Sequence, residues 1–288
     1  MHSHRVSTVE IDEERLAKEL EQAKEFDFAE PYDEFLCSRP ARRQGQIMLW
    51  APGGDNGDGI IKHYDDGCAS GVTEYGRQLP YLVQIMEESL SVRHLRFARL
   101  AALTSNVLVP HRDYVEFDSA AATDKRPAHR LHIPLITFPD CYFSDDNVVF
   151  QMAAGEVWFL DVTKVHSAAN LSDELRLHLI VDFVDTEDHD ELLTLGTEAE
   201  RVIPDSRVVH RPPLPDAARQ ALHGLADVVD PGNLREVFGL VARAGFQYDG
   251  GENFFWRTIA EIRDRVADPA MAARLAELDD YFLCARTT

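Results

Sequence analysis

The sequence predicts an α+β protein, with a β core, flanking helices and a helical C-terminal lobe. Three observations carry that expectation. Short apolar runs recur between residues 95 and 184, with turn signals between them. Helical patterns precede them, over 12–26 and 80–90. Beyond residue 185 the texture changes to an acidic linker, the Pro-rich RPPLPD at 211–216, and further helical patterns. The chain thus divides into 1–186 and 187–288. Its 288 residues are 45% hydrophobic and 27% charged, which rules out a mainly disordered protein.

Asp12 to Phe26 reads as an amphipathic helix because Leu16, Leu20 and Ala23 share one face. Its acidic start, Asp12, Glu13 and Glu14, suits the positive end of a helix dipole. Residues 51–76 read as a long loop, dense in Gly and Asp. Asp55, Asn56 and Asp58 could suggest calcium there, but no twelve-residue ligand frame closed by Glu follows. A solvated loop is expected. The strand-like runs are 95–103 (LRFARLAAL), 106–110 (NVLVP), 130–137 (RLHIPLIT), 147–152 (NVVFQM), 156–161 (EVWFLD) and 175–184 (LRLHLIVDFV). Pro139-Asp140, Ser144-Asp145-Asp146 and Ala154-Gly155 punctuate them. Such spacing indicates a sandwich or barrel rather than βαβ units. Helical patterns then fall at 216–228, 233–244, 253–266 and 269–285. Phe254, Phe255 and Trp256 read as lobe core, and Trp158 and Phe159 as the core of a buried strand.

Charge narrows the function. Lys and Arg total 29 against 50 Asp and Glu, a formal net charge of −21. Such a surface repels phosphate backbones and anionic membranes, so neither nucleic acid nor a membrane is an expected partner. No stretch approaches the ~20 apolar residues of a membrane span. The opening MHSHRVSTVEIDEERL lacks an apolar signal core, so a cytoplasmic location is expected. Cys37, Cys68, Cys141 and Cys284 form no CxxC pair, which leaves inert thiols as the expectation. There is no GxSxG and no Gly-rich loop opening a helix.

The informative constellation is His111-Arg112-Asp113, then His166, then Arg176. His111 and Asp113 are i and i+2, so an extended strand presents both on one face. Two imidazoles and one carboxylate on one face of a metal form the facial triad of non-haem Fe(II) oxygenases. The open positions accept a bidentate 2-oxo acid and O2. A lone His-x-Asp is weak, since chance supplies about one in a chain of this composition. The second instance, His63-Tyr64-Asp65, lies in the Gly/Asp-rich loop without a strand to fix it, and is the decoy. Alternation also places Arg130, His132, Pro134 and Ile136 on one face, and Arg176, His178, Ile180 and Asp182 on the equivalent face of another strand. Inward basic groups in an acidic protein suggest an anion pocket for a dicarboxylate, where Arg offers bidentate geometry. The alternative is a pair of solvated surface strands.

The segments VPHRDYVEFD (109–118), RLHIPL (130–135), GEVWFLDVTKVHSA (155–168) and RLHLIVD (176–182) resemble the aspartyl/asparaginyl β-hydroxylase family of Fe(II)/2-oxoglutarate dioxygenases. Within it the chain is most similar to the bacterial free L-proline cis-3- and cis-4-hydroxylases, including PYDEF (31–35), LPYL (79–82) and the C-terminal lobe. The resemblance implies a double-stranded β-helix, or jelly-roll, core. It implies that His111, Asp113 and His166 bind iron and that Arg176 holds the far carboxylate of 2-oxoglutarate. Arg130 and His132 would line the pocket shared by cosubstrate and substrate, and Arg99 would lie near the substrate. The presence of Asp113 also favours hydroxylation over halogenation. CSRPARRQGQ (37–46) departs from the family pattern, as either a pocket lining for a larger amino acid or a solvated basic loop.

The expected function is therefore Fe(II)-, 2-oxoglutarate- and O2-dependent hydroxylation of a free L-amino acid, a cyclic imino acid such as proline or pipecolate. Alternatives are an acyclic amino acid of citrulline, lysine or arginine type, Asp/Asn in a polypeptide, or a metal-binding jelly roll without turnover. With Arg176 given to the cosubstrate, one or two of the inward cations, Arg99 and Arg130, are expected to lack a protein partner. A substrate with its own α-carboxylate would supply one. Oligomeric state is left open.

Overall fold

The computed structural model describes residues 3–29, 45–65, 67–113, 128–186, 189–197 and 201–285. PYDEF, most of CSRPARRQGQ and residues 114–118 of the first resembling segment lie outside them. Period-two alternation builds a seven-stranded antiparallel sheet from β1 (His4–Thr8), β2 (Gly45–Pro52), β3 (Ser70–Val72), β4 (Leu95–Leu103), β6 (Ala128–Ile136), β9 (Glu156–Leu160) and β11 (Arg176–Val184). Their spatial order is β1-β9-β6-β11-β4-β2-β3. A smaller sheet takes β5 (Asn106–Val107), β7 (Cys141–Asp145), β8 (Val148–Phe150) and β10 (His166–Asn170), in the order β5-β10-β7-β8. From Leu95 to Val184 the chain passes back and forth between these sheets. That alternation is the expected jelly roll.

The inner faces of the sheets enclose Leu103, Phe143, Phe150, Trp158 and Leu160 and, beside them, the polar residues described below. The outer face of the large sheet carries Leu177, Leu179, Val181 and Phe183, which pack with Leu82, Ile85 and Met86. Those come from α3 (Pro80–Ser89), which follows α1 (Glu13–Ala23) and the short α2 (Glu74–Gln78). Asp12 caps α1 by accepting the Arg15 N–H at 3.0 Å. The outer face of the small sheet, with Val107, Val149 and Ala169, joins the core of the C-terminal lobe. Four helices build that lobe: α4 (Asp216–His223), α5 (Leu234–Gln247), α6 (Phe254–Arg263) and α7 (Pro269–Asp280). Phe254, Phe255 and Trp256 are buried in it, as expected.

Several boundaries differ from expectation. The 51–76 loop is shorter, because Ala51 and Pro52 end β2, residues 70–72 pair with it as an edge strand, and α2 begins at Glu74. Backbone pairing, not side-chain pattern, makes that edge strand. Asp55, Asp58 and Asp65 accept the backbone N–H groups of Gly57, Ile60 and Gly67, holding turns of the loop. Residues 144 and 145 belong to β7, and the turn starts at Asp146, with φ of 49°. Strand β10, HSAAN, has no sequence signature and exists through its pairing with β7 and β5. Gly155, the glycine of GEVWFLD, sits at φ +79°, and a Cβ there would lie 2.6 Å from the Val9 carbonyl.

Glu156 fastens the N-terminal strand to the roll. Its carboxylate accepts from Arg5 (3.1 Å), Arg207 (2.6 Å), Trp158 Nε1 (3.1 Å) and the Ala153 N–H (2.7 Å). Burial pushes its pKa up, but these hydrogen bonds outweigh that and hold it below the ordinary 4.5. Its stabilisation is therefore complete above pH 4.5 and lost as the pH falls through the depressed folded value. Glu156→Gln is expected to cost about 2–4 kcal/mol at pH 7. Urea unfolding should show this difference shrinking at pH values below 4.5.

Candidate active site

Two backbone hydrogen bonds set the centre. The His111 N–H donates to the His166 carbonyl at 3.0 Å, and the His166 N–H to the His111 carbonyl at 2.9 Å. This bridge between a loop after β5 and the start of β10 places the two imidazoles 4.3 Å apart, centroid to centroid. The Asp113 N–H donates to Val162 at 2.8 Å, which brings its carboxylate to the same point. One donor atom from each of the three residues lies within 4.8 Å of the others, and all three side chains are buried. His111 Nδ1 is 2.6 Å from the Val109 carbonyl, and His166 Nδ1 is 3.0 Å from the Lys164 carbonyl. A carbonyl only accepts, so each Nδ1 carries the hydrogen and each Nε2 keeps its lone pair. Nitrogen, nitrogen and carboxylate oxygen within one coordination sphere fit a first-row divalent metal.

Beside this centre lies a row of buried cations. Strand β11 pairs with β4 on one side and β6 on the other, setting Asp182 opposite Arg130 and Ile180 opposite Arg99 and His132. Asp182, with 0% exposure, accepts from Arg130 Nε at 2.7 Å, and its other oxygen lies 3.0 Å from Arg99 Nη1. Arg130 Nη1 also donates to Asp113 Oδ2. The expectation that one or both of Arg99 and Arg130 lack a protein partner is thus corrected. Asp182 faces the pocket from the next strand and neutralises part of their charge. The correction is partial at Arg99, whose Nε and Nη1 find no well-aligned hydrogen-bond acceptor.

Arg176 is different. It is buried, its nearest partner is the neutral His178 at 3.3 Å through Nδ1, and among the described residues no carboxylate pairs with it. Burial lowers its pKa to about 10, so it stays a cation at neutral pH. Burial, reinforced by the neighbouring cations, also drives the pKa of His132 and His178 well below that of free imidazole, and both are uncharged. Three guanidinium groups therefore face two carboxylates, a surplus of one positive charge. A divalent metal with a bound dicarboxylate adds no net charge to this sum. The uncommitted guanidinium and the donor set together fit a metal-bound 2-oxo acid. A cavity of about 110 Å³ lies among these groups, bounded also by Phe143 and Leu160.

The structure brings together every residue the sequence singled out: His111, Asp113, His166, Arg99, Arg130, His132 and Arg176. The His63-Tyr64-Asp65 decoy lies elsewhere, with His63 Nδ1 2.6 Å from Asp58. Of the two arginines in RFAR, Arg96 turns away to bond the Cys68 carbonyl at 2.7 Å. Sequence reasoning placed Asp182 on the right face without assigning its charge, although an acid alternating with basic residues is itself a signal. It missed two ties from the C-terminal lobe, which involve main-chain atoms. Trp256 Nε1–H donates to the Pro110 carbonyl at 2.9 Å, and the Arg112 N–H to the Phe282 carbonyl at 3.0 Å.

Comparison with known proteins bears on the family. The family model for aspartyl/asparaginyl beta-hydroxylase matches residues 12–186, and that for the C-terminal part of L-proline 3-hydroxylase matches residues 190–288. The chain is 31% identical to L-proline cis-3-hydroxylase 1 of a Streptomyces species, covering 99% of this chain and 96% of that protein. It is 28% identical to L-proline cis-4-hydroxylase of Rhizobium meliloti strain 1021, covering 98% and 96%.

Replacing Asp182 isolates the role of the buried ion network. Asp182→Asn removes the shared anion and leaves two desolvated guanidinium groups uncompensated. It is expected to cost about 3–5 kcal/mol of stability, measured by chemical denaturation. High concentrations of a dicarboxylate that occupies the pocket should recover part of that loss.

Proposed function

The chain belongs to the aspartyl/asparaginyl β-hydroxylase family of Fe(II)- and 2-oxoglutarate-dependent dioxygenases, and from that premise we propose that it hydroxylates a ring carbon of free L-proline or a close cyclic imino acid. The substrates in the names of its relatives support the choice of proline. The observation that carries the free-acid requirement is the surplus buried cation, together with the unfilled donors of Arg99.

When bound, iron with 2-oxoglutarate and O2 supplies the oxidation of an unactivated C–H bond, and 2-oxoglutarate leaves as succinate and CO2. We assign His111, Asp113 and His166 to holding the metal on one face. The carbonyls of Val109 and Lys164 fix their imidazole tautomers, and Arg130 steadies the second oxygen of Asp113. Arg176 takes the distal carboxylate of 2-oxoglutarate, with His178 orienting its guanidinium. Neutral His132 offers a hydrogen bond in the same pocket without adding charge. Arg99 and the outer side of Arg130 receive the substrate carboxylate, while Phe143, Leu160 and Val162 keep water from the target carbon. Residues 1–186 carry this chemistry, and residues 187–288 buttress the metal-ligand segment. The partner is a small molecule. A cytoplasmic setting suits its supply of free amino acid and 2-oxo acid.

The test is a panel of free amino acids incubated with Fe(II), 2-oxoglutarate and ascorbate, read by mass for the gain of one oxygen. L-Proline should react, and L-prolinamide should react at least about a hundredfold more slowly, the scale of a buried charge left without its partner. Comparable rates for acid and amide, or efficient hydroxylation inside a peptide, would remove the free-acid requirement. Arg176→Ala should raise the 2-oxoglutarate concentration needed for half-maximal rate by the equivalent of about 2–5 kcal/mol. Iron affinity should change little, because Arg176 touches none of the three metal-site residues. An unchanged 2-oxoglutarate requirement would take Arg176 out of the cosubstrate site.

A further inference from the structure

A second and larger cleft, of about 520 Å³, lies between the small sheet and the C-terminal lobe. That volume is in the range of small-molecule sites. The cleft occupies the opposite side of the metal-site segments. His111, Asp113 and His166 line the first cavity, whereas Pro110, Arg112, Val165 and Ser167 line this one. The facing wall comes from the lobe and is aromatic, with Phe246, Phe254 and Trp256.

The cleft is preformed. Trp256 and the Arg112 backbone tie the lobe to the floor through the Pro110 and Phe282 carbonyls. Arg211 spans the walls, donating to the Tyr248 carbonyl at 3.2 Å and to Asn147 Oδ1 at 3.1 Å. A ligand entering such a site spends little on ordering the protein.

One lining residue is unaccounted for. The Arg112 Nε is buried and has no hydrogen-bond acceptor, and among the described residues no carboxylate pairs with that guanidinium. The carboxylates on the cleft do not serve it. Asp146 faces Lys164 at 3.6 Å, and Glu252 is exposed. One uncommitted cation beside two carboxylates suits a monoanion better than a phosphate. An aromatic wall suits an apolar or ring-bearing body.

We propose that this cleft binds a small organic carboxylate with an apolar or ring body, its carboxylate on Arg112 and its body against Phe246, Phe254 and Trp256. The site is distinct from the catalytic pocket and shares backbone with the metal-site residues.

Calorimetric titration of the full-length protein with phenylacetate tests the proposal. One saturable site with Kd of about 1 mM or tighter is expected, weakened at least about tenfold in Arg112→Gln and unchanged in Arg176→Gln. Phenylacetamide, which lacks the charge, should bind wild-type protein at least about tenfold more weakly than phenylacetate. That comparison decides the matter without a variant should Arg112→Gln fail to fold. Absence of saturation below about 10 mM would overturn the proposal. So would equal binding of acid and amide, or a loss of binding in Arg176→Gln rather than Arg112→Gln.

Discussion

Everything at the centre of this protein depends on one electrostatic constraint: three arginines are buried between two β-sheets, and two aspartates face them. A buried guanidinium without an anion is costly, because its hydration is lost and nothing replaces it. Asp182 answers for much of two of them by sitting on β11 opposite Arg130 and diagonal to Arg99. Asp113 answers to Arg130 as well, so the carboxylate of the metal site belongs to the same network. The network thereby orients a proposed metal ligand and leaves a buried surplus of positive charge beside it. Arg176 is left outside it, supported among the described residues by the neutral His178. Its position is where the folded protein stores an unmet demand for a carboxylate.

Rigidity of the metal site comes from outside the roll as much as from within. Strand β5 is two residues long, and the segment from Leu108 to Asp113 that follows it is held by scattered contacts rather than a ladder. The bridge between His111 and His166 fixes one point, and Val162 fixes Asp113. The C-terminal lobe supplies the rest, through Trp256 on Pro110 and Phe282 on Arg112. Trp256 can do this because Phe238, Phe255 and Phe282 pack around it and leave its indole one place to point. A helical lobe without a residue among the three proposed metal ligands thus positions two of them.

The parts of the fold that sequence reading captured are those whose side chains alternate in character. Strands β6 and β11 announce themselves because one face is aliphatic and the other carries basic residues, and the helices because their apolar residues recur at helical spacing. Strand β10 does not, since His-Ser-Ala-Ala-Asn has neither bulk nor alternation and is specified by its neighbours β5 and β7. The short edge strand β3 is invisible for the same reason. The site was legible because metal ligands and charged pocket residues cannot be exchanged for other types without losing the chemistry. What escaped was pairing. Periodicity said that Asp182 shares a face with Arg176, but only register says that it stands against Arg130. The lobe's hold on the metal-site segment escaped altogether, because two of its acceptors and one of its donors are main-chain atoms.

The overall charge of −21 and the surplus positive charge of the pocket are two sides of one selection. At physiological ionic strength the field of a surface charge decays over about 8 Å, so the acidic exterior acts mostly on what approaches it. The buried arginines are screened far less, because little water or salt reaches them. An anion that lacks the shape to enter therefore meets only repulsion. A small dicarboxylate or amino acid that does enter exchanges that repulsion for guanidinium groups in a low-dielectric site, where each contact is worth more than at the surface. Net charge alone would argue against an anionic ligand for this protein. The location of the charge, set by the alternation of three β-strands, reverses that conclusion.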